Sequence, residues 1–191
     1  MLDTLISSKT RLKLLMKFFL NGNTTAYLRG LETEFGDSTN GIRVELNRFE
    51  AAGMIQSITE GNKKVYAANK AYPLFREIHS ILLKHIGLDQ IVINVIQRLG
   101  HISHVFVTGD LAIGKDSAVI DLLIVSDEID KAYLLELIEK AEKLIGRKIR
   151  FLLYSESEYQ QFKSSMSNTH YLLLWSDCTC ECASSHFLEL E

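Results

Sequence analysis

Cysteine is scarce in this chain, and what there is crowds into one place: Cys178, Cys180 and Cys182, among 191 residues. Three thiols in so short a stretch build no disulfide framework, which excludes a stapled secreted scaffold and fits a reducing compartment. Long apolar runs are missing too. None approaches the roughly 18 residues needed to span a membrane, so no membrane partner is expected. The opening MLDTLISSKTRLKLLMKFFL scatters charges among its leucines and has no small-residue cleavage site. It reads as a helix of the mature protein, and the expected location is cytoplasmic. Internal repeats and low-complexity tracts are absent, and proline occurs once, at Pro73.

What is present is ordinary in bulk. Hydrophobic residues make up 47% and charged residues 24% of the chain, the composition of a soluble globular protein. Its length suits one large domain or two small ones. The formal net charge of −3 hides an asymmetry. Met1 to Tyr72 carries ten Lys+Arg against seven Asp+Glu, while the remainder carries eleven against seventeen. A mildly basic front beside an acidic remainder directs the front part toward a polyanion.

Apolar Leu12, Leu15, Met16 and Phe19 repeat at the spacing of an amphipathic helix, with Ser7 or Ser8 as cap and Gly22 as stop. A second helix is expected from Thr24 or Thr25, with Tyr27, Leu28, Leu31 and Phe35 inward and Gly36 as its end. A third, capped by Ser38 or Thr39, buries Ile42, Leu46 and Phe49 and ends at Gly53. Met54–Thr59 and Lys63–Ala67 then read as two strands joined at Gly61-Asn62, a pair suited to a tight turn. Three helices followed by a hairpin is the winged helix-turn-helix order. Its third helix would carry Asn40, Arg43, Val44 and Asn47 on the face opposite the buried one, where Asn and Arg suit adenine and guanine edges and Val44 a thymine methyl. Arg48 beside that face, and Lys63 and Lys64 at the wing, suit phosphates. The bland alternative is a solvated polar face, with Glu45 and Glu50 diluting the charge, or a protein-interaction module.

Pro73 opens a further helix, PLFREIHSILLKHIG, at a position where its missing N–H costs nothing, and LDQIVINVIQRLG follows after Gly87. These apolar helices are either core beneath a sheet or a dimer seam. Beyond residue 100, HVFVTG, VIDLLIV and KIRFLLY read as strands. A helix capped by Asp130 and stopped by Gly146 precedes the last of them, and a Ser155/Glu158 capping box follows it. The expected class is therefore α+β: a winged helix-turn-helix over 1–72, linker helices over 73–100, and a small α/β domain with a mixed sheet over 101–191, ending in the cysteine-containing tail.

SKTRLKLLMKFFLN, YLRGLE, VELNRFEAAGMI and EGNKKVYAANKAYPLF resemble the winged-helix front of bacterial and archaeal transcriptional regulators that carry a nucleotidyltransferase-like domain behind it. The resemblance runs on to about Leu173, with Ser155 to Phe162 as an S-x-E-E-F-like helix, and covers roughly nine tenths of the chain by pattern. It implies a nucleotide site in VTGDLAIGKDSAVIDLLIV. In the intact family pattern a G-S turn, a glycine-rich loop with arginine, and S-D-x-D on a strand hold phosphates and Mg²⁺. Gly109, Gly114 and Asp121 match. Asp110 stands in place of the serine, Ile113 in place of the arginine, and Val119 in place of the first aspartate. Arg150 and Phe151 lie where a third carboxylate would project.

One carboxylate makes a weak Mg²⁺ site, unless the loop brings Asp110 and Asp116 beside Asp121. The expectation is accordingly a site without catalysis, reduced to Gly109, Asp110, Gly114 and Asp121, with Asp121 capping local backbone amides. The rear domain would serve dimerisation, ligand or partner binding. The partners expected are double-stranded DNA, a second copy, and an unknown small-molecule or protein effector. No cofactor is expected, and Mg²⁺ with nucleotide enters only under the alternative reading of an active nucleotidyltransferase. An antitoxin-like interaction module is the other alternative.

Cys178, Cys180, Cys182 and His186, with His170 upstream, offer soft ligands for Zn²⁺ or Cu(I). Their C-x-C spacing lacks the C-x₂-C knuckle, so free thiols and no metal are expected. His79, His85, His101 and His104 share no metal spacing, and His79 and His85 are expected on helix surfaces.

Overall fold

Sequence periodicity becomes two compact units in the structure, a computed structural model that describes residues 2–164 and 170–177. The front unit joins Met1–Ile86 to the loop Asp110–Ser117, and the rear unit joins Gly87–Gly109 to Ala118–Glu191. Residues 73–100 thus divide between the units, with the helix after Pro73 in the front one. The fold is α+β, with a three-stranded antiparallel sheet and a mixed four-stranded sheet. Among the described residues, no helix is long and apolar enough to cross a membrane.

The front unit opens with α1 (Leu2–Leu5) and α2 (Lys9–Leu15), whose cap is Ser8, its side chain accepting from the Arg11 N–H. α2 continues as a π-helical turn over Met16–Leu20. The wider turn frees carbonyls at its end, and the Thr24 hydroxyl donates to Lys17 O and to Asn21 O. The second helix begins later than its periodicity suggests. Thr25–Tyr27 forms strand β1, antiparallel to β3, and α3 runs only over Leu28–Phe35. Thr and Tyr fit a pleated edge, and pairing Ala26 with Tyr66 in the sheet outweighs the helical pattern. Tyr27 is accordingly exposed and Phe35 half-buried, not inward.

α4 (Thr39–Ala51) is capped by the Ser38 side chain and buries Ile42, Leu46 and Phe49 as expected. β2 (Ile55–Glu60) and β3 (Lys63–Ala68) form the hairpin, closed by Glu60 opposite Lys63. α5 (Phe75–Ile86) starts two residues after Pro73. Phe18, Phe19, Leu20, Leu31, Ile42, Leu46 and Leu82 form the interior, each side chain contributing about 1.5–3 kcal/mol by leaving water.

In the rear unit, α6 (Leu88–Ile91), a π-helical turn over Val92–Ile96 and α7 (Gln97–Leu99) form one continuous helical stretch. Its apolar face packs on α9 (Lys131–Ile145) and on β7 (Leu172–Ser176). Leu88, Ile91, Val92, Val95 and Ile96 are buried there, which places this segment beneath the sheet. The sheet order is β6-β5-β4-β7, with β4 (His104–Thr108), β5 (Val119–Val125) and β6 (Lys148–Tyr154) where periodicity predicts them. β5 and β6 are parallel and the other pairs antiparallel. β7 was not foreseen. The four-residue turn α8 (Gly109–Ala112) leads out of β4, and α10 (Glu156–Lys163) carries the Ser155/Glu158 capping box.

Candidate functional site

Two places carry the polar side chains that sequence reasoning singled out: the outer face of α4 with the β2–β3 hairpin, and the glycine–aspartate turn between β4 and β5. On α4, Asn40, Arg43, Val44 and Asn47 are all exposed. Arg43 and Asn47, and likewise Asn40 and Val44, are spaced i, i+4, which stacks each pair on one side of the helix. No side-chain hydrogen bond or ion pair ties Asn40, Arg43 or Asn47 to another described residue.

The opposite side of α4 is anchored. Ile42, Leu46 and Phe49 are buried, and so is Glu45. The Glu45 carboxylate accepts from Arg11 at 2.9 and 3.2 Å and from Arg48 at 2.9 Å. Burial pushes the Glu45 carboxyl upward, but the two guanidinium groups more than reverse that and hold it below its usual value. Sequence reasoning saw Glu45 only as a charge diluting a basic face. Its partner Arg11 lies 34 residues away, a separation that helical spacing does not bridge.

The flanking cations are less free than expected. Arg48 spends one donor on Glu45. Lys64 donates to Glu50 at 2.8 Å and lies over the Tyr66 ring, while Lys63 lies 4.9 Å from the Tyr27 ring centroid. The Lys64 hydrogen bond lowers the Glu50 carboxyl and, reciprocally, raises the Lys64 ammonium. Exposed pairs of this kind are weak and salt-screened, so a phosphate can take the lysines over.

The glycine–aspartate turn is built differently. Asp121 on β5 sits beside Arg150 on parallel β6, and the two form a forked pair, Nε to Oδ1 at 2.7 Å and Nη2 to Oδ2 at 3.0 Å. The carboxylate is thus neutralised by a cation from the neighbouring strand; it does not cap backbone amides as expected. Gly109 has φ 67°, and a Cβ there would lie 2.7 Å from Asp121 Oδ2. The left-handed backbone favours glycine at this position, and any side chain there would also have to move the Asp121 carboxylate.

Gly114, the other matching glycine, has φ 79°, and a Cβ there would lie 2.5 Å from Lys17 Cα. The loop approaches the backbone of the front unit that closely, and Asn21 Nδ2 donates to Ala112 O at 2.7 Å. Asp110 is exposed and lies 3.3 Å from the Lys115 ammonium. Ile113 and Val119 are half-buried. Among the described residues, no group of three or more His, Cys, Asp or Glu is arranged to hold a metal.

The comparisons with known proteins add little at this point. No protein-family model matches the chain, and no curated protein matches it. Among solved structures it is similar to AF1382 from Archaeoglobus fulgidus, at 19% identity over 43% of this chain and 93% of that one, with a TM-score of 0.36. A likeness that weak carries no argument about fold or function.

The histidines separate by environment. His79 does not lie on an open helix surface: its Nδ1 is 2.7 Å from Phe19 O and its ring stacks on Phe75. Burial pushes its pKa down. His104 packs between Phe106 and Tyr159 and is likewise lowered by burial. The residues Cys178, Cys180, Cys182 and His186 lie outside the described residues. Buried pairing was the feature sequence reasoning missed most clearly. Lys17, in the π-helical turn after α2, is 6% exposed and paired with Glu34 at 2.8 Å.

Proposed function

We propose that the protein is a DNA-binding transcriptional regulator whose front unit is a winged helix-turn-helix. In this reading α3 and α4 are the helix-turn-helix, α4 is the recognition helix, and β2–β3 is the wing completed by β1. The observation that carries it is the outer face of α4: Asn40, Arg43, Val44 and Asn47 are exposed together, while Ile42, Leu46 and Phe49 and the Arg11–Glu45 pair hold the helix from behind. A rigid helix with uncommitted amide and guanidinium groups is what base-edge readout in a major groove requires.

The rear unit, in the same reading, is nucleotidyltransferase-like in ancestry and without catalysis. Two features support this. Asp121 already has the Arg150 guanidinium on both oxygens, so a metal would have to displace a forked ion pair to reach one carboxylate. The loop that would cradle phosphates instead packs against the backbone of the π-helical turn after α2. The rear unit then serves dimerisation, ligand or partner binding, and a two-fold dimer would present two recognition helices to paired half-sites.

A gel-shift titration against the DNA upstream of its own gene, at moderate salt, tests the reading. Sequence-specific binding should fall by about 30-fold or more when Arg43→Ala and Asn47→Ala are combined, since each paired base contact is worth about 1–3 kcal/mol and two are lost. The stability of the same variant should change by less than about 0.5 kcal/mol, both sites being exposed. Binding indifferent to sequence, or untouched by the double substitution, would refute the role given to α4.

A further inference from the structure

The front unit also contains a cavity of about 320 Å³ that the outer face of α4 does not use. That volume sits at the lower end of the roughly 300–1,000 Å³ typical of small-molecule sites. One wall is α2 with the π-helical turn that continues it, which contribute Leu12 and Met16; the end of α3 adds Phe35; and the loop Gly114–Asp116 closes the other side. The loop wall is preformed, because Gly114 rests against the Lys17 backbone and Asn21 holds Ala112 O.

Charge selects the ligand class. The walls carry Lys9, Lys13 and Lys115, with His85, against Glu34 and Asp116. Most of these groups have partners on the chain. Lys13 donates to Phe35 O at 2.7 Å and to Asp37 at 3.0 Å. Glu34 accepts from Lys17, and Lys115 lies beside Asp110. Lys9 is exposed and forms no ion pair with a described residue. Its ammonium also acts through space on the Asp37 carboxylate that Lys13 binds. The cavity therefore pairs an apolar floor with an ammonium at its rim that has no hydrogen-bonded partner among the described residues, and an anion held there needs a cation to replace the water it loses.

We propose that this cavity binds a small organic monoanion, a carboxylate on a compact apolar or aromatic body. The body would lie over Leu12, Met16 and Phe35, and the carboxylate would meet Lys9. The inference rests on the cavity alone and stands whether or not α4 binds DNA.

The test is calorimetric titration of the full chain with 4-phenylbutyrate, with 4-phenylbutyramide as the uncharged control. The acid should bind at one site, about tenfold more tightly than the amide, the effect expected of one charge-assisted contact. Lys9→Ala should bring the acid down to the amide's affinity and leave the amide unchanged, while Lys9→Arg keeps the preference. Leu12→Trp should abolish both ligands by filling the space. Should that variant fail to fold, Leu12→Ser, which removes apolar wall without adding volume, should weaken both. Acid and amide binding alike, acid binding unaltered in Lys9→Ala, undiminished binding in a folded Leu12 variant, or no heat from either ligand at millimolar concentration would each overturn the proposal.

Discussion

The outer face of α4 and the turn between β4 and β5 start from similar material and arrive at opposite states. Each places charged side chains on an ordered element. On α4 the charged group facing inward, Glu45, is neutralised by Arg11 and Arg48, while Asn40, Arg43 and Asn47 facing outward have no side-chain partner among the described residues. At the turn, Asp121 is paired by Arg150, and Gly114 lies against the Lys17 backbone. A surface remains available for recognition when its polar groups are not satisfied internally. Residue type alone does not distinguish the two cases; the partners do.

Three experiments would break or sharpen that contrast. The largest effect is expected at Gly114. A Cβ there needs both φ 79° and space already occupied by the Lys17 backbone, so Gly114→Ala should cost about 2–4 kcal/mol in denaturant unfolding. Gly61 is the control: it has φ 59° and nothing within 4 Å of a Cβ, so Gly61→Ala should cost about 1 kcal/mol from backbone strain alone. Equal costs would mean that the loop does not depend on its close approach to the Lys17 backbone.

Next comes Glu45→Gln. Losing charge-assisted bonds to two arginines should destabilise the protein by about 1–3 kcal/mol at neutral pH. The folded-state pKa of Glu45 lies below its usual 4.5. Its contribution is therefore complete above that usual value and is lost as pH falls through the folded one. The gap between wild type and Glu45→Gln should be constant near pH 7 and should close below about pH 4.5. A gap that stays constant down to pH 3 would mean that the Arg11–Glu45–Arg48 cluster does not anchor α4.

The smallest effect is expected of ATP or GTP with Mg²⁺ or Mn²⁺: no change in the thermal midpoint, for wild type and Asp121→Asn alike. A metal-dependent nucleotide shift that vanishes in Asp121→Asn would return the turn to the status of a working site.

Much of the architecture was legible beforehand. The boundaries of α4, β4, β5, α9 and β6 follow from apolar period and caps, because the side-chain oxygens of Ser38, Asp130 and Ser155 each accept from orphan N–H groups within three residues. β1 was misread as helix because Thr25–Tyr27 belongs to a periodic stretch, while its deciding partner, β3, lies 40 residues further on. β7 was missed for the same reason, since its pairing with β4 is long-range. At the candidate sites, sequence could place Arg43 and Asn47 on one helix face. It could not see that Arg150 would take Asp121, or that Lys17 would be buried with Glu34.

Local order therefore belongs to the linear chain: where side-chain caps start helices and glycines stop them, and which faces are apolar. These features depend on neighbours within about one turn or one strand pair. The folded chain alone decided which polar groups are spent and which are available. Ion pairs such as Asp121–Arg150 and Arg11–Glu45 join residues 29 and 34 positions apart. Coulomb energy and desolvation depend on distance in space and on burial, and neither can be read from position along the chain.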